Sequence, residues 1–380
     1  MKIVDLLRGS ERVVLNNFRR NGETWEKIVL GAFRIEKRPI PWIISIHDTT
    51  LGPALGGLRV WKDYNLYENF FNDALNLSEG MTYKSSIAGL DLGGGKAVIW
   101  TAPEEKTEEV LRNFGKEIKL LGGQYITAED VGTTTADMEK IALETKWVTG
   151  RTESKGGSGD PSPVTALGTL QGIRAALKFL YKDGYIYNKR FLIQGAGKCG
   201  FRLARQIKER GGMVFVSDVN PEMTRRAKIE FNAEIVEPGK EYGFDCDVFC
   251  PCALGGVLNE ETIPKLKCKI VAGCSNNQLK KPEHIYANLL FERKIVYVPD
   301  YVINAGGLIN VYYELDPAGY DSRKAKEKTM QIFTTVLNIL EKSKEEGISP
   351  NEIAARIARN RINDIKKSKV EVNDLWEIKA

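Results

Sequence analysis

Phe191-Leu192-Ile193-Gln194-Gly195-Ala196-Gly197-Lys198-Cys199-Gly200 couples a β-rich run to a glycine-spaced turn, and the residues that follow are helical in pattern. In a G-x-G-x-x-G so placed, the glycines permit a tight turn and let the backbone approach a pyrophosphate, which a helix N-terminus stabilises. Alone, the pattern is weak, because glycine turns of any origin match it. Here a second β-rich run, Met213-Val214-Phe215-Val216, leads to Asp218. That acid lies about 20 residues beyond the glycines, the spacing expected of a ribose-binding carboxylate. Gly195, Ala196, Gly197, Lys198, Cys199, Gly200 and Asp218 are therefore expected to hold a dinucleotide. Asp218 would accept hydrogen bonds from ribose hydroxyls and repel a 2′-phosphate, which favours NAD over NADP. Arg225 and Arg226 read as too far into the next helix to be phosphate ligands.

Outward from this stretch, strand and helix alternate. A helical face runs through Val164, Leu167, Leu170, Ile173, Leu177 and Leu180. Helices are expected over 199–210 and 221–231, with short strands at 248–249, 270–271 and 295–298. This alternation predicts a parallel sheet with helices on both faces. From 322 to 367 the chain reads as helical, with a break at Gly347-Ile348-Ser349-Pro350. Upstream, 40–47 and 96–100 read as strands, 66–79 as a helix, and 124–127 as a short strand, with a further helix starting at Pro103. Between them, Arg151-Thr152-Glu153-Ser154-Lys155-Gly156-Gly157-Ser158-Gly159-Asp160-Pro161-Ser162-Pro163 has the composition of a linker or hinge. The fold class expected is α/β in two domains. Residues 1–150, completed by C-terminal helices at about 335–380, precede a Rossmann-type domain over 151–334.

Composition agrees with two domains, since 380 residues exceed the roughly 150 usual for one. The chain is 42% hydrophobic and 28% charged, enough to bury a core and unlike a disordered polymer. Its 36 glycines stand above the usual share of about 7%. A net charge of +5, with both signs interspersed, argues against nucleic acid as partner. The basic cluster Lys366-Lys367-Ser368-Lys369 reads as a solvated tail. No apolar run approaches a membrane span, and residues 1–8 turn charged too soon for an export signal. A cytoplasmic location is expected, with the six cysteines reduced. Cys250-Pro251-Cys252 has no second pair at zinc spacing, so no metal is expected, and both thiols read as small buried residues. With only two histidines, acid–base work is expected of lysine and carboxylates.

Four glycine clusters in the first domain carry polar side chains: Gly52-Pro53-Ala54-Leu55-Gly56-Gly57-Leu58-Arg59, Gly80-Met81-Thr82-Tyr83-Lys84, Gly93-Gly94-Gly95-Lys96 and Thr127-Ala128-Glu129-Asp130-Val131-Gly132-Thr133. The glycines are expected where a ligand approaches the backbone. If Lys84 and Lys96 converge, each makes protonating the other more costly, and burial adds to this. A neutral lysine is then a general base and a charged one a carboxylate anchor. Spacing alone leaves two ordinary surface lysines as the simpler reading.

These strings resemble the glutamate/leucine/phenylalanine/valine dehydrogenase family, closest to its leucine dehydrogenase branch, from about residue 43 to 365. Further matching strings are His47-Asp48-Thr49-Thr50-Leu51-Gly52, Pro161-Ser162-Pro163-Val164-Thr165-Ala166, Cys252-Ala253-Leu254-Gly255, Asn276-Asn277-Gln278-Leu279 and Pro299-Asp300-Tyr301-Val302-Ile303-Asn304-Ala305-Gly306-Gly307. The resemblance implies reversible NAD-dependent oxidative deamination of an L-amino acid by a homo-oligomer. It implies that Lys84 binds the substrate carboxylate, Lys96 activates water, and Asp130 exchanges a proton with the substrate amine. Asn304 would hydrogen-bond substrate or nicotinamide, with Thr165 and Asn276 beside the cofactor. The mechanism implied includes closure of an interdomain cleft about the 150–163 hinge. Gly56 belongs to the substrate site. Leu55 stands where the glutamate branch carries a lysine for the γ-carboxylate, and Ala128, Leu308 and Val311 match other side-chain pocket positions. An apolar pocket disfavours glutamate and favours leucine, valine and isoleucine. Phenylalanine and tryptophan dehydrogenases are the alternative, because apolar side chains are discriminated by only about 1–3 kcal/mol per methylene. A catalytically silent NAD-binding regulator is the reading of another class. Lys198 and Asp91 each depart from a common asparagine, as does Asp160, and the first 40 residues match poorly.

Overall fold

The computed structural model describes residues 12–35 and 38–377, so the opening residues 1–8, read above for an export signal, lie outside the described residues. The chain forms two compact units. One comprises Met1–Asp160, Val311–Asp321 and Ala358–Ala380, the other Pro161–Asn310 and Ser322–Ile357.

The first unit is built on a mixed six-stranded sheet, β1 (Arg12–Arg20), β2 (Glu23–Ile35), β3 (Arg38–Asp48), β4 (Ala54–Val60), β5 (Gly93–Ile99) and β6 (Tyr125–Glu129), in the order β1-β2-β3-β5-β4-β6. Its helices are α1 (Tyr67–Ile87), α2 (Glu108–Leu120) and α3 (Thr135–Ala142). Successive β3 residues face opposite ways. Ile43 packs with Phe70, Phe71 and Leu75 of α1, whereas Trp42 and Ile44 pack with Phe114 and Ile118 of α2 and Ile141 of α3. The sheet is thus covered on both faces. Thr107 caps α2 by accepting from Val110 N–H, and Thr134 with Asp137 forms a capping box on α3.

The first 40 residues, left without structure in the sequence reading, include the β1–β2 hairpin, turned at Asn21-Gly22 with positive φ at both positions. Asn-Gly is the dipeptide that a tight hairpin turn demands. Helix α1 also runs beyond the expected 79, through the Gly80–Lys84 string to Ile87.

The second unit contains α4 (Ser162–Tyr181), β7 (Arg190–Gln194), α5 (Lys198–Lys208), β8 (Met213–Ser217), α6 (Pro221–Phe231), β9 (Glu234–Ile235), β10 (Val248–Pro251), β11 (Ile270–Val271), α7 (Glu283–Glu292) and β12 (Val296–Tyr297). Its sheet is wholly parallel, in the order β12-β11-β10-β7-β8-β9. The order reverses beside β7, where α/β sheets bind ligands at the carboxyl ends of their strands. Next come α8 (Asp300–Ile303), α9 (Gly306–Tyr312), α10 (Ser322–Met330), α11 (Ile332–Glu346) and α12 (Pro350–Glu377).

Helix α11 packs on α4 and belongs to the second unit, where the sequence reading assigned everything from about 335 to the first. Gly168 of α4 explains the association: a Cβ there would come within 2.7 Å of Ile332 and 3.4 Å of Thr329. The basic cluster at 366–369 is helical, not a tail, and Lys369 Nζ donates to the Thr50 carbonyl at 2.7 Å.

Candidate active site

In the first unit, three adjacent strands deliver Lys96 (β5), Arg59 (β4) and Asp130 (just past β6) to one cluster. Lys96 Nζ donates to Asp130 Oδ2 at 2.6 Å, and Arg59 Nε donates to the same oxygen at 3.2 Å. The other end of the guanidinium donates to Asp73 Oδ2 at 2.8 Å. The turn that carries Asp130 is fastened by Thr133, whose hydroxyl accepts from Asp130 N–H at 2.9 Å and donates to the Leu58 carbonyl at 3.0 Å. Lys96 is only 5% exposed.

Burial sets the electrostatics. It pushes Asp130 up, but Lys96 and Arg59 more than offset it and hold the carboxyl at about 2, so Asp130 is ionised. Lys96 is pushed down from the ordinary lysine range, first by burial and further by Arg59, against the attraction of Asp130. The cation pressing on Lys96 is therefore Arg59, an effect the sequence reading gave to Lys84 only on the condition that the two lysines converge. Arg59 itself is held fully charged: burial opposes its charge, and Asp130 and Asp73 outweigh it. A buried ammonium sharing its carboxylate with a guanidinium holds its proton loosely, which suits a base that takes a proton from water.

Lys84 lies half-buried in the last turn of α1. Its placement corrects the reading of the glycine clusters as sites of ligand approach. Gly80 is helical, and a Cβ there would meet nothing within 4 Å. A Cβ on Gly94 would stand 2.2 Å from both the nitrogen and the hydroxyl of Thr82, and one on Gly56 only 1.6 Å from the Gly95 carbonyl. These glycines let α1 and the strands press backbone on backbone, which seats the turn leading to Lys84 against the strand of Lys96. Of the expected side-chain pocket, Leu55, Ala128, Leu308 and Val311 are all buried and apolar. The Gly56 carbonyl accepts from Tyr125 Oη at 2.5 Å.

In the second unit the glycine loop has the properties of a dinucleotide cradle. Gly195 is in the left-handed region (φ +94°), and a Cβ there would lie 2.8 Å from Ala253 N. Gly200 lets α5 close on the loop, since its Cβ would fall 2.0 Å from the Gly195 carbonyl. A Cβ on Gly197, by contrast, would meet nothing within 4 Å, leaving open space at the N-terminus of α5. These features fit a pyrophosphate held by backbone N–H groups. Asp218 accepts from Ala196 N–H at 2.6 Å and from Asn220 N–H at 2.8 Å, which ties the end of β8 to the loop. Lys198 lines a cavity of about 390 Å³ with Arg202, Arg205 and Arg226. Arg226 thus reaches the loop's flank, although the sequence reading placed it too deep in its helix. Its guanidinium lies over Phe201, 4.2 Å from the ring centre.

Asn304 and Asn276 are brought together: Asn304 Nδ2 donates to Asn276 Oδ1 at 2.8 Å and to the Cys274 and Ser275 carbonyls at longer range. The Asn304 amide oxygen is buried with no partner among the described residues, which fits a group that accepts from a ligand N–H. Thr165 donates to the Pro161 carbonyl at 3.0 Å, and a Cβ on Gly307 would lie 2.8 Å from its hydroxyl.

The functional residue that sequence reasoning quoted without a role is Arg59. Its signal was the alternation in Leu58-Arg59-Val60, which leaves a lone charge between two buried neighbours. Among the described residues no helix is long and apolar enough to cross a membrane.

Comparison with known proteins adds independent findings. Residues 38–147 match the model of the "Glu/Leu/Phe/Val dehydrogenase, dimerisation domain", and residues 219–369 match that of "Glutamate/Leucine/Phenylalanine/Valine dehydrogenase". The chain is 48% identical over 328 residues to leucine dehydrogenase of Geobacillus stearothermophilus, covering 86% of this chain and 88% of that one. It is 46% identical over 327 residues to L-tryptophan dehydrogenase of Nostoc punctiforme, covering 86% and 91%. A crystal structure of L-tryptophan dehydrogenase from Nostoc punctiforme superposes with a TM-score of 0.76 at 42% identity, covering 89% of this chain and 96% of that one.

Proposed function

The chain belongs to the Glu/Leu/Phe/Val dehydrogenase family and is an NAD-dependent amino-acid dehydrogenase; from that premise we propose that its substrates are branched-chain L-amino acids, deaminated through Lys96 and Asp130. When bound, NAD supplies the acceptor for the hydride that leaves Cα, so that the substrate becomes an iminium. The residues of this chain do the rest. Lys84 anchors the substrate carboxylate as an ammonium ion. Asp130, ionised, takes a proton from the substrate ammonium, because only the neutral amine can drive hydride loss. Lys96 deprotonates the water that attacks the iminium carbon, then as an ammonium stabilises negative charge on the carbinolamine oxygen. Collapse releases the 2-oxo acid and ammonia. Glycine-loop backbone, Asp218, Thr165, Asn276 and Asn304 are the groups assigned to the cofactor. The first unit is assigned to homo-oligomer contacts.

The observation that carries the substrate class is Leu55, buried and uncharged where the glutamate branch has a lysine. With Ala128 and Val311, buried and apolar in the same unit, it offers no partner to a side-chain carboxylate, and burying an unpaired charge is prohibitive. The tryptophan-type alternative is favoured by the 46% identity to a tryptophan dehydrogenase. NADH formation at 340 nm decides between them, with leucine, valine, isoleucine, phenylalanine, tryptophan and glutamate, each with NAD and NADP. The expected order of kcat/KM is branched-chain above aromatic, glutamate lowest, and NAD above NADP. A preference for tryptophan establishes the alternative, and a preference for glutamate refutes the role of Leu55.

A further inference from the structure

Three of the six cysteines meet at the dinucleotide loop. Cys199 is in the first turn of α5, Cys252 follows β10 and Cys274 follows β11. The segments that carry them are in backbone contact. Cys252 N–H donates to the Gln194 carbonyl at 2.7 Å, Ser275 N–H donates to the Pro251 carbonyl at 3.1 Å, and a Cβ on Gly200 would lie 3.0 Å from Cys252 Cβ. None of the three is in a disulfide, and the thiol of Cys274 is hydrogen-bonded to both Cys199 and Cys252. Cys199 and Cys252 are half-buried and Cys274 is buried. The sequence reading had taken Cys252 for a small buried residue, but its partial exposure puts it at the rim of this cluster.

We propose that this cluster is an oxidation site, in which hydrogen peroxide joins Cys199 to Cys274 and the resulting disulfide weakens dinucleotide binding. The inference rests on the assignment of the glycine loop to NAD. Cys199 is the attacking group, because it is half-buried where Cys274 is buried, and it stands in the first turn of α5. Its sulfur attacks one peroxide oxygen: an S–O bond forms, the O–O bond breaks, and the departing hydroxide takes a proton to become water. The Cys274 sulfur, already in hydrogen-bond contact, then attacks the sulfenic acid. An S–S bond forms, the S–O bond breaks, and a second water leaves. Two thiols lose two electrons and one peroxide is reduced to two waters. Cys274 takes the resolving role by position, since its thiol is hydrogen-bonded to Cys199; that contact and burial push its thiol up, so its proton leaves with the departing hydroxide as the S–S bond forms.

Closing the contact alters the loop. A disulfide requires sulfurs about 2.05 Å apart, well inside hydrogen-bonding separation, so Cys199 must be drawn toward β11. The N–H groups at the start of α5 turn with it, and hydrogen bonds to a pyrophosphate weaken steeply with angle.

The test uses the full chain, treated with a few equivalents of hydrogen peroxide and then alkylated. Non-reducing proteolysis and mass spectrometry should find a Cys199–Cys274 peptide pair. NADH binding, followed by its fluorescence, should weaken at least tenfold and recover with dithiothreitol. Cys274→Ala should bind NADH within twofold of the reduced parent and show no reversible loss with peroxide. Thiols that all remain titratable after treatment, a Cys252–Cys274 link in place of the expected one, or a Cys199–Cys274 link without change in NADH affinity would each overturn the proposal. The linkage map on the parent chain decides the site even if the variant fails to fold. Reduced protein that binds no NADH at all would instead count against the assignment of the loop.

Discussion

One oxygen of Asp130 accepts from both Lys96 and Arg59, and this sharing determines how firmly Lys96 keeps its proton. A base must be neutral to act, so the rate should rise as pH rises through the Lys96 value, which lies below the ordinary lysine range of about 10.4. Removing the Arg59 charge takes away a repelling cation and leaves Asp130 to Lys96 alone. Both effects favour the ammonium. Arg59→Gln should therefore move the ascending limb of the kcat/KM–pH profile to higher pH. A limb that stays in place, or moves to lower pH, would show that Arg59 does not tune Lys96.

At the scale of elements, α1 rests on β5 because Gly94 has no side chain to hold it off. Gly94→Ala would put a methyl group 2.2 Å from Thr82 N, a backbone atom that can only move if the helix moves. Its cost should be at least the ~1–3 kcal/mol of an overpacked core. Gly80→Ala, on the exposed side of the same helix, should stabilise by about 0.5–1 kcal/mol, since its Cβ meets nothing within 4 Å. Urea midpoints of the two variants measure the difference, and equal effects would contradict the packing account. The same glycines show what was legible in the sequence. Glycine-rich strings marked the right segments, because tight backbone packing leaves that mark. Whether a ligand or a neighbouring strand makes the approach is a tertiary fact that one-dimensional spacing does not carry. The β1–β2 hairpin, by contrast, was legible in Asn21-Gly22 and went unread. The strand–turn–helix of the glycine loop was readable because its contacts are local, within residues 190–218. Arg59 and Asp130, 71 residues apart, were not, since strand order alone brings them together.

At the scale of the molecule, the glycine loop proposed for the dinucleotide lies in the second unit, and the first carries Lys96, Asp130 and Lys84. A substitution confined to the chemistry should then leave cofactor affinity alone. The most direct test is Lys96→Ala, assayed with leucine and NAD while NADH affinity is measured by fluorescence. Loss of a positioned general base costs about 10²–10⁴ in rate. The expected result is a fall in kcat of that size or larger, with NADH affinity within twofold of the parent. Turnover that survives the substitution would contradict the assignment of Lys96 as the base on which the reaction depends.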